Sequence, residues 1–432
     1  MKQKSTQMIS NQLTNINCWS PDSRFLFYDI RNGKNASLFD GTRIEKLHPE
    51  SGKTETLYES KNGACCGVVT CSPVENKLVF IHGPEYPDAD WNYSFQHRYG
   101  VILHTNGQTE ILDACNIVPP FLPGALRGGS HVHVFSGDGQ WVSFTYNDHL
   151  LDLLDKNENA LPHDFDQRNI GVAVPLCPVH VNRNHSRNRD GSYFSVLVSQ
   201  TVNHPQPDSN EIQKAYEEAW IGVDGYIKPD GSRQKKALAF LGDVIVNKNQ
   251  IVTEVFIVDL PERLENFTVS GSALLEGTQT RRPAPPHGIA QRRLTYTTDR
   301  RFPGIQGVRH WVRSSPDGSK IAFLMRDDAG IVQIWTISPN GGSPHQWTHG
   351  FHDVTSAFTW SPDGKNIAHV MDHSICISSK TETIRLTPKI NETDETDLPL
   401  PYAVVFSPDG SKIAFLRHQH QSNRIFVIES QL

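Results

Sequence analysis

Short runs of alternating apolar and polar residues fill most of the chain, and a period of two is that of half-buried β-strands. Lys320-Ile-Ala-Phe-Leu324 and Lys412-Ile-Ala-Phe-Leu416 are two such runs. Each follows a turn phrase that occurs six times. The copies are Trp19-Ser20-Pro21-Asp22-Ser23, Cys71-Ser72-Pro73, Phe135-Ser136-Gly137-Asp138-Gly139, Ser314-Ser315-Pro316-Asp317-Gly318, Trp360-Ser361-Pro362-Asp363-Gly364 and Phe406-Ser407-Pro408-Asp409-Gly410. Pro pre-sets φ for a turn, Asp bonds its own backbone, and Gly or Ser accepts the strained last position. The phrase predicts a tight turn between two antiparallel strands.

Ser315, Ser361 and Ser407 recur every 46 residues. A strand-built period of roughly 40–50 residues is the signature of propeller blades. Ser20, Ser72 and Ser136 are 52 and 64 residues apart, one blade each with loop insertions. The 179 residues from Ser136 to Ser315 are too many for one blade, and the degenerate turn Arg189-Asp190-Gly191-Ser192 before Tyr193–Ser199 supplies another start. The reading is all-β: a single seven-bladed propeller over residues 1–432, with blades starting near 15, 67, 131, 178, 310, 356 and 402. Pro229-Asp230-Gly231 is then a hairpin within an enlarged fourth blade; eight blades is the alternative. Helix start signals at Asp208 and the spacing of Ile212, Tyr216 and Trp220 predict a short helical insertion near 209–221 in that blade. Glu217 and Glu218 would lie on its solvated face. The last blade lacks an outer strand. An N-terminal strand over 5–10 would complete it and close the ring without an open edge, the alternative being a frayed terminus.

Composition adds limits. Net charge is −6 with pI near 6.4, so there is no basic footprint for nucleic acid. No run approaches the roughly 18 apolar residues of a membrane span. The first ten residues have lysines but no apolar core of a secretory signal. Seven cysteines, without zinc-type pairing, fit a reducing compartment. The expectation is a cytoplasmic protein. No Gly-x-Ser-x-Gly elbow with a following βα pattern occurs, which excludes a serine peptidase of the prolyl-oligopeptidase type. Phosphate-binding glycine loops are absent too.

The Ser-Pro-Asp-Gly hairpins with Ile-Ala-Phe strands resemble TolB-type propellers over nearly the whole chain. Phe80-Ile-His-Gly-Pro84, Leu126-Arg-Gly-Gly-Ser-His-Val-His-Val-Phe135, Phe144-Thr-Tyr-Asn-Asp-His149, Arg309-His-Trp-Val-Arg313 and Phe323-Leu-Met-Arg-Asp-Asp328 resemble the bacterial YidR-like family more closely. The resemblance is specific for fold and imports little chemistry. More distantly, propellers of this kind are similar to oligogalacturonate lyases, which hold a divalent metal with histidines at the centre of one face.

Residues just before each inner strand ring one mouth of the central channel. Five positions before the turn serines lie Asn15, Gly67, His131, His310, Ser356 and Tyr402. Strand alternation puts His133 on the side of His131, and His180 is a further candidate. These positions make His131, His133 and His310 the expected ligands of a divalent metal, manganese or zinc. The loops on that face bring His82, His97, Arg98, Asn147, Asp148, His149 and Arg326 as expected catalytic and binding groups, with Arg313 less secure. A histidine base beside an arginine clamp suits proton abstraction next to a carboxylate. Loop 84–98, with Trp91, Tyr93 and Phe95, suits stacking on a sugar. Segment 149–175, with His163, Asp164, Asp166 and Arg168, is long enough for a lid. Two functions remain open. One is a metal-assisted lyase or related enzyme acting on a sugar acid or oligosaccharide such as a uronate. The other is a non-catalytic TolB-like binding propeller for a protein or small molecule.

Overall fold

Seven antiparallel sheets follow one another around a central channel, so the fold is a seven-bladed β-propeller. The computed structural model describes residues 9–32, 38–247, 250–308, 311–390, 398–419 and 422–432. The first six sheets have four strands each, and the seventh has three among the described residues. No helix among the described residues is long and apolar enough to cross a membrane.

The turn phrase works through its serine. Ser361 Oγ donates to Asp363 at 2.6 Å and accepts the Asn366 amide at 3.0 Å. Ser20, Ser136, Ser315 and Ser407 make the same pair of bonds with the aspartate two residues on and the amide five residues on. The hydroxyl thus replaces a backbone partner inside the turn. The strands that follow bury runs of consecutive residues, five of six in Ile321–Arg326 and Ile413–Leu416 within Lys412–Gln419, because each blade is covered by its neighbours on both faces.

The inner strands of the second, third and fourth blades are Cys66–Cys71, Gly128–Phe135 and Ala215–Trp220. Each carries a bulge at one non-glycine residue in the left-handed region: Val68 at φ 55°, Val132 at φ 55° and Glu217 at φ 59°. A bulge breaks the alternation of faces. In the fourth blade it buries residues 215–216 and 218–219 in pairs, a three-residue spacing that imitates a helix. The expected helix near 209–221 is therefore a strand, and Glu218 is buried, only 2% exposed. The α-helix among the described residues is His149–Asp155, capped by Asp148.

The fourth blade also starts later than position 178. Phe194–Leu197 pairs with Asn169–Val174 as the outer strand of the third blade. The Arg189–Ser192 turn is tied back to Cys115 and Val179 in an excursion of that blade. Hairpin strands Tyr226–Ile227 and Arg233–Gln234 flank Pro229-Asp230-Gly231. At the seam, Ile9–Gln12 pairs with Leu26–Asn32 of the first blade, while Ser10 Oγ accepts the Asn423 amide of the last. Residues 5–8 of the expected N-terminal strand lie outside the described residues.

Inner strands bond to one another across every blade boundary. Trp19 Nε1 reaches the Val405 carbonyl at 3.2 Å across the seam, and Trp360 Nε1 reaches that of Arg313 at 3.1 Å. Removing such a donor strands a buried carbonyl, a loss of about 1–3 kcal/mol. We expect Trp19→Phe and Trp360→Phe to lower the urea unfolding free energy by similar amounts in that range. An unchanged midpoint for Trp19→Phe would mean the seam is held elsewhere.

Candidate functional site at the channel mouth

The loop between the second and third strands of blade two, residues 83–98, leans over the third blade. It settles on Gly129: a Cβ there would lie 2.2 Å from the Phe95 carbonyl oxygen. The Ser130 amide then donates to the Arg98 carbonyl at 3.1 Å, and Gln96 Nε2 to Asp166 at 2.8 Å. This docking forms one wall of a cavity of about 850 Å³ at the mouth. Arg98, His131, Phe95 and Tyr93 line it, with Arg31 and Phe39 from the first blade. Phe39 and Tyr93 stack at 4.6 Å. Asp29 fixes the far wall, accepting the Val68 amide at 2.9 Å and pairing with Arg31 Nε at 2.8 Å.

Arg98 is the unusual member. Its side chain is buried, with 5% of the residue exposed, yet no carboxylate among the described residues forms an ion pair with it. Nη1 donates to Tyr93 Oη at 3.1 Å, whereas Nε and Nη2 find no acceptor among the described residues. Burial lowers its pKa, partly offset by Tyr93. Its guanidinium carbon lies 4.7 Å from the centroid of Phe95. The His131 ring is nearly parallel to Phe95 at 6.4 Å, and its Nδ1 has no partner among the described residues. Burial first, then the charges of Arg98 and Arg168 and the neighbouring His133, hold His131 neutral, well below its usual range.

The other expected residues lie elsewhere. His133 does not share a face with His131, because the Val132 bulge intervenes. It is wholly buried, its Nε2 within 2.9 Å of Ser130 Oγ and its ring 6.5 Å from Phe144 in the blade core. His82 is saturated: Nδ1 donates to the Gly83 carbonyl and Nε2 accepts from Tyr58 Oη. His97 and His149 form a pair at 3.0 Å, against Trp91. Asp148 caps the short helix and accepts from Arg127 and Tyr146. Arg326 bonds Gln306 and the Gly330 carbonyl within the fifth blade. Arg313 lines a smaller cavity, about 320 Å³, among the turn prolines at the other end of the channel. His310 lies outside the described residues. Arg31, Asp29 and Phe39 carried no sequence signal of a site, since they lie on the second strand of the first blade and the loop after it rather than beside a repeat landmark.

A family model described as a protein of unknown function (DUF3748) matches residues 65–189, which hold Phe95, Arg98, His131 and Arg168. Over 418 residues the chain is 46% identical to the uncharacterized protein YidR of Escherichia coli (strain K12), covering 96% of this chain and 94% of that one. The chain belongs to the YidR family. Among solved structures it resembles an oligogalacturonate lyase in complex with manganese, at 11% identity and TM-score 0.55, covering 98% of this chain and 90% of that one. An oligogalacturonate lyase from Vibrio parahaemolyticus aligns at 9% identity and TM-score 0.53, covering 98% and 92%. At such identities the likeness is one of fold.

The manganese of that neighbour calls for a convergent donor set. Among the described residues no three His, Cys, Asp or Glu side chains are placed to hold a metal ion. Among the described residues His131 is the one imidazole lining the cavity, Asp29 there is engaged by Arg31 and the Val68 amide, and His133 spends its Nε2 on Ser130. The described residues do not fit a divalent ion.

Burial lowers the pKa of His133 to about 3, and those of His149 and His369 to about 4. Between these values and 6.5 the unfolded chain binds protons that the native chain refuses. Each such histidine therefore costs up to about 1.4 kcal/mol of stability per pH unit as pH falls below 6.5. Asp166 and Glu218, raised to about 6 and about 7 mainly by burial, oppose this over the same window. In histidine-resolved NMR, the His131, His133, His149 and His369 ring resonances should stay fixed from pH 8 to 5. Movement of His133 near pH 6.5 would contradict the burial described.

Proposed function

We propose that the channel-mouth cavity binds a small carbohydrate bearing a carboxylate, of the uronate class, and promotes lyase-type proton abstraction beside that carboxylate. The observation that carries this reading is the Arg98 guanidinium, buried without an anion. Its Nε and Nη2 form the edge that meets a carboxylate two-pronged, and Tyr93 holds the opposite nitrogen in place. Burying a charge without a partner is costly, and an arriving carboxylate removes that cost. Phe39, Tyr93 and Phe95 offer apolar faces to a sugar ring.

Neutral His131 has a ring nitrogen without a partner beside this clamp. It accepts the proton from the carbon next to the carboxylate. The C–H electron pair becomes the new C=C bond, and the glycosidic oxygen leaves, taking a proton from solvent. Arg98 stabilises the charge that develops on the carboxylate during this step. The scheme is written without a metal, because the donors among the described residues do not converge on one and His310 lies outside them.

Binding without turnover is the second reading, favoured by the single imidazole at the cavity among the described residues. Calorimetric titration with galacturonate and with galactose, together with ultraviolet detection of unsaturated uronate formed from digalacturonate, separates the two. We expect galacturonate but not galactose to bind, and Arg98→Gln to weaken binding by about 30-fold or more. His131→Gln should keep binding within about threefold and abolish turnover. Wild-type binding with no unsaturated product would establish the binding-only reading, and equal affinity for galactose would sink both.

A further inference from the structure

Asn15 lines the channel-mouth cavity from the innermost segment of the first blade, between the Ile9–Gln12 strand and the Trp19 bridge. It stands five residues before its turn serine, the position that His131 holds two blades further round the ring. Only 3% of Asn15 is exposed, and its Nδ2 has no acceptor among the described residues. No hydrogen bond engages its Oδ1 among them either. Neighbouring polar groups on the same wall are engaged by the fold. Thr14 Oγ1 donates to the Val69 carbonyl at 2.6 Å, Asp29 holds Arg31 and the Val68 amide, and Asp40 accepts the Asn32 amide at 3.0 Å. Asn15 therefore joins Arg98 and His131 as a buried polar side chain that lines this cavity and keeps a nitrogen unserved.

The two walls differ in chemistry. Arg98 and His131 stand where the loop of blade two leans over the third blade, and they offer a charge and a base. The first blade offers an uncharged primary amide, whose donor and acceptor lie side by side. Two hydroxyls on neighbouring carbons present an acceptor and a donor at matching spacing. We infer that Asn15 is a ligand-binding residue that takes such a pair of hydroxyls while Arg98 holds the carboxylate. The inference rests on the carboxylate reading of Arg98 and narrows its ligand to a ring acid with adjacent hydroxyls on the side facing the first blade. Asn15 is then a specificity-determining residue. An acid without hydroxyls would leave its buried amide unpaired, and a site built to bond a hydroxyl rejects the analogue that lacks it.

The test titrates the full chain calorimetrically with galacturonate and with cyclohexanecarboxylate, a six-membered ring acid that has no hydroxyls. Neither probe carries a glycosidic bond, so binding is read without turnover. The wild type should bind galacturonate at least about 10-fold more tightly. Asn15→Leu and Asn15→Ala should each weaken galacturonate by about 10-fold and leave cyclohexanecarboxylate within about threefold. Arg98→Gln should weaken both acids. A wild type with no preference for galacturonate would overturn this inference and leave the carboxylate reading intact. Galacturonate affinity kept in both Asn15 variants, or both acids weakened alike by Asn15→Ala, would overturn it equally. Binding of neither acid by the wild type would instead strike the carboxylate reading, and this inference with it. Because the Asn15 amide holds no described partner, the urea midpoints of its two variants should match or exceed that of the wild type. A fall in both would show that the amide serves the fold, and would overturn the ligand role.

Discussion

One ring of hydrogen bonds between inner strands governs everything else in the molecule. Thr14 Oγ1 bonds the Val69 carbonyl, Thr70 Oγ1 that of His133, and Trp220 Nε1 that of Val134. The Gly222 amide bonds Ser314 Oγ, Trp360 reaches Arg313, Thr359 Oγ1 reaches Val404, and Trp19 reaches Val405 across the seam. Each bond contributes only about 1 kcal/mol net, far less than the blade cores. Their effect is geometric. Apolar packing between twisted sheets tolerates sliding, whereas a donor aimed at one carbonyl sets the height of each blade relative to the next. Residues far apart in sequence, such as Arg31, Arg98 and His131, therefore reach one cavity at one level.

Within that frame, the asymmetry of the site comes from three bulges. Left-handed backbone at a β-branched residue costs roughly 1–2 kcal/mol, and Val68 and Val132 both adopt it. Such strain persists where the surroundings over-determine it. Here the surroundings are identifiable. Asp29 holds the Val68 amide, and the loop backbone at Phe95 presses on Gly129 just before His131. The bulge at Val132 turns His131 toward the cavity and His133 into the core. The same distortion in the fourth blade buries Glu218 between blades.

These bulges also explain what could and could not be read from the chain. The Ser-Pro-Asp-Gly turns are local chemistry, complete within six residues, so the repeat and the fold were legible. The fourth blade was not. Its turn reads Ile221-Gly222-Val223-Asp224-Gly225, without serine or proline, and its bulged strand has helical spacing. Counting back from each serine found His131 because that count spans one strand. It misassigned His133, since alternation fails at a left-handed residue that no sequence pattern announced. Arg98 was legible as a loop cation, but its lack of a partner is a property of tertiary placement alone.

Position, and not the lack of a partner alone, marks the site: His133 Nδ1 and His369 Nδ1 are also without a partner among the described residues but sit inside blades, whereas Arg98 and His131 line the channel-mouth cavity. Asp148, His82 and Asp113 are buried polar groups with their hydrogen-bonding capacity used. Each is accounted for by folding alone. Arg98 and His131 are buried as deeply and keep nitrogens unserved. An unpaired buried donor costs about 1–3 kcal/mol, and more when charged. At the channel-mouth cavity a ligand with matching groups would offset that cost. An anion has the right sign for Arg98, and its affinity would include relief of the desolvation cost that the guanidinium carries before it binds.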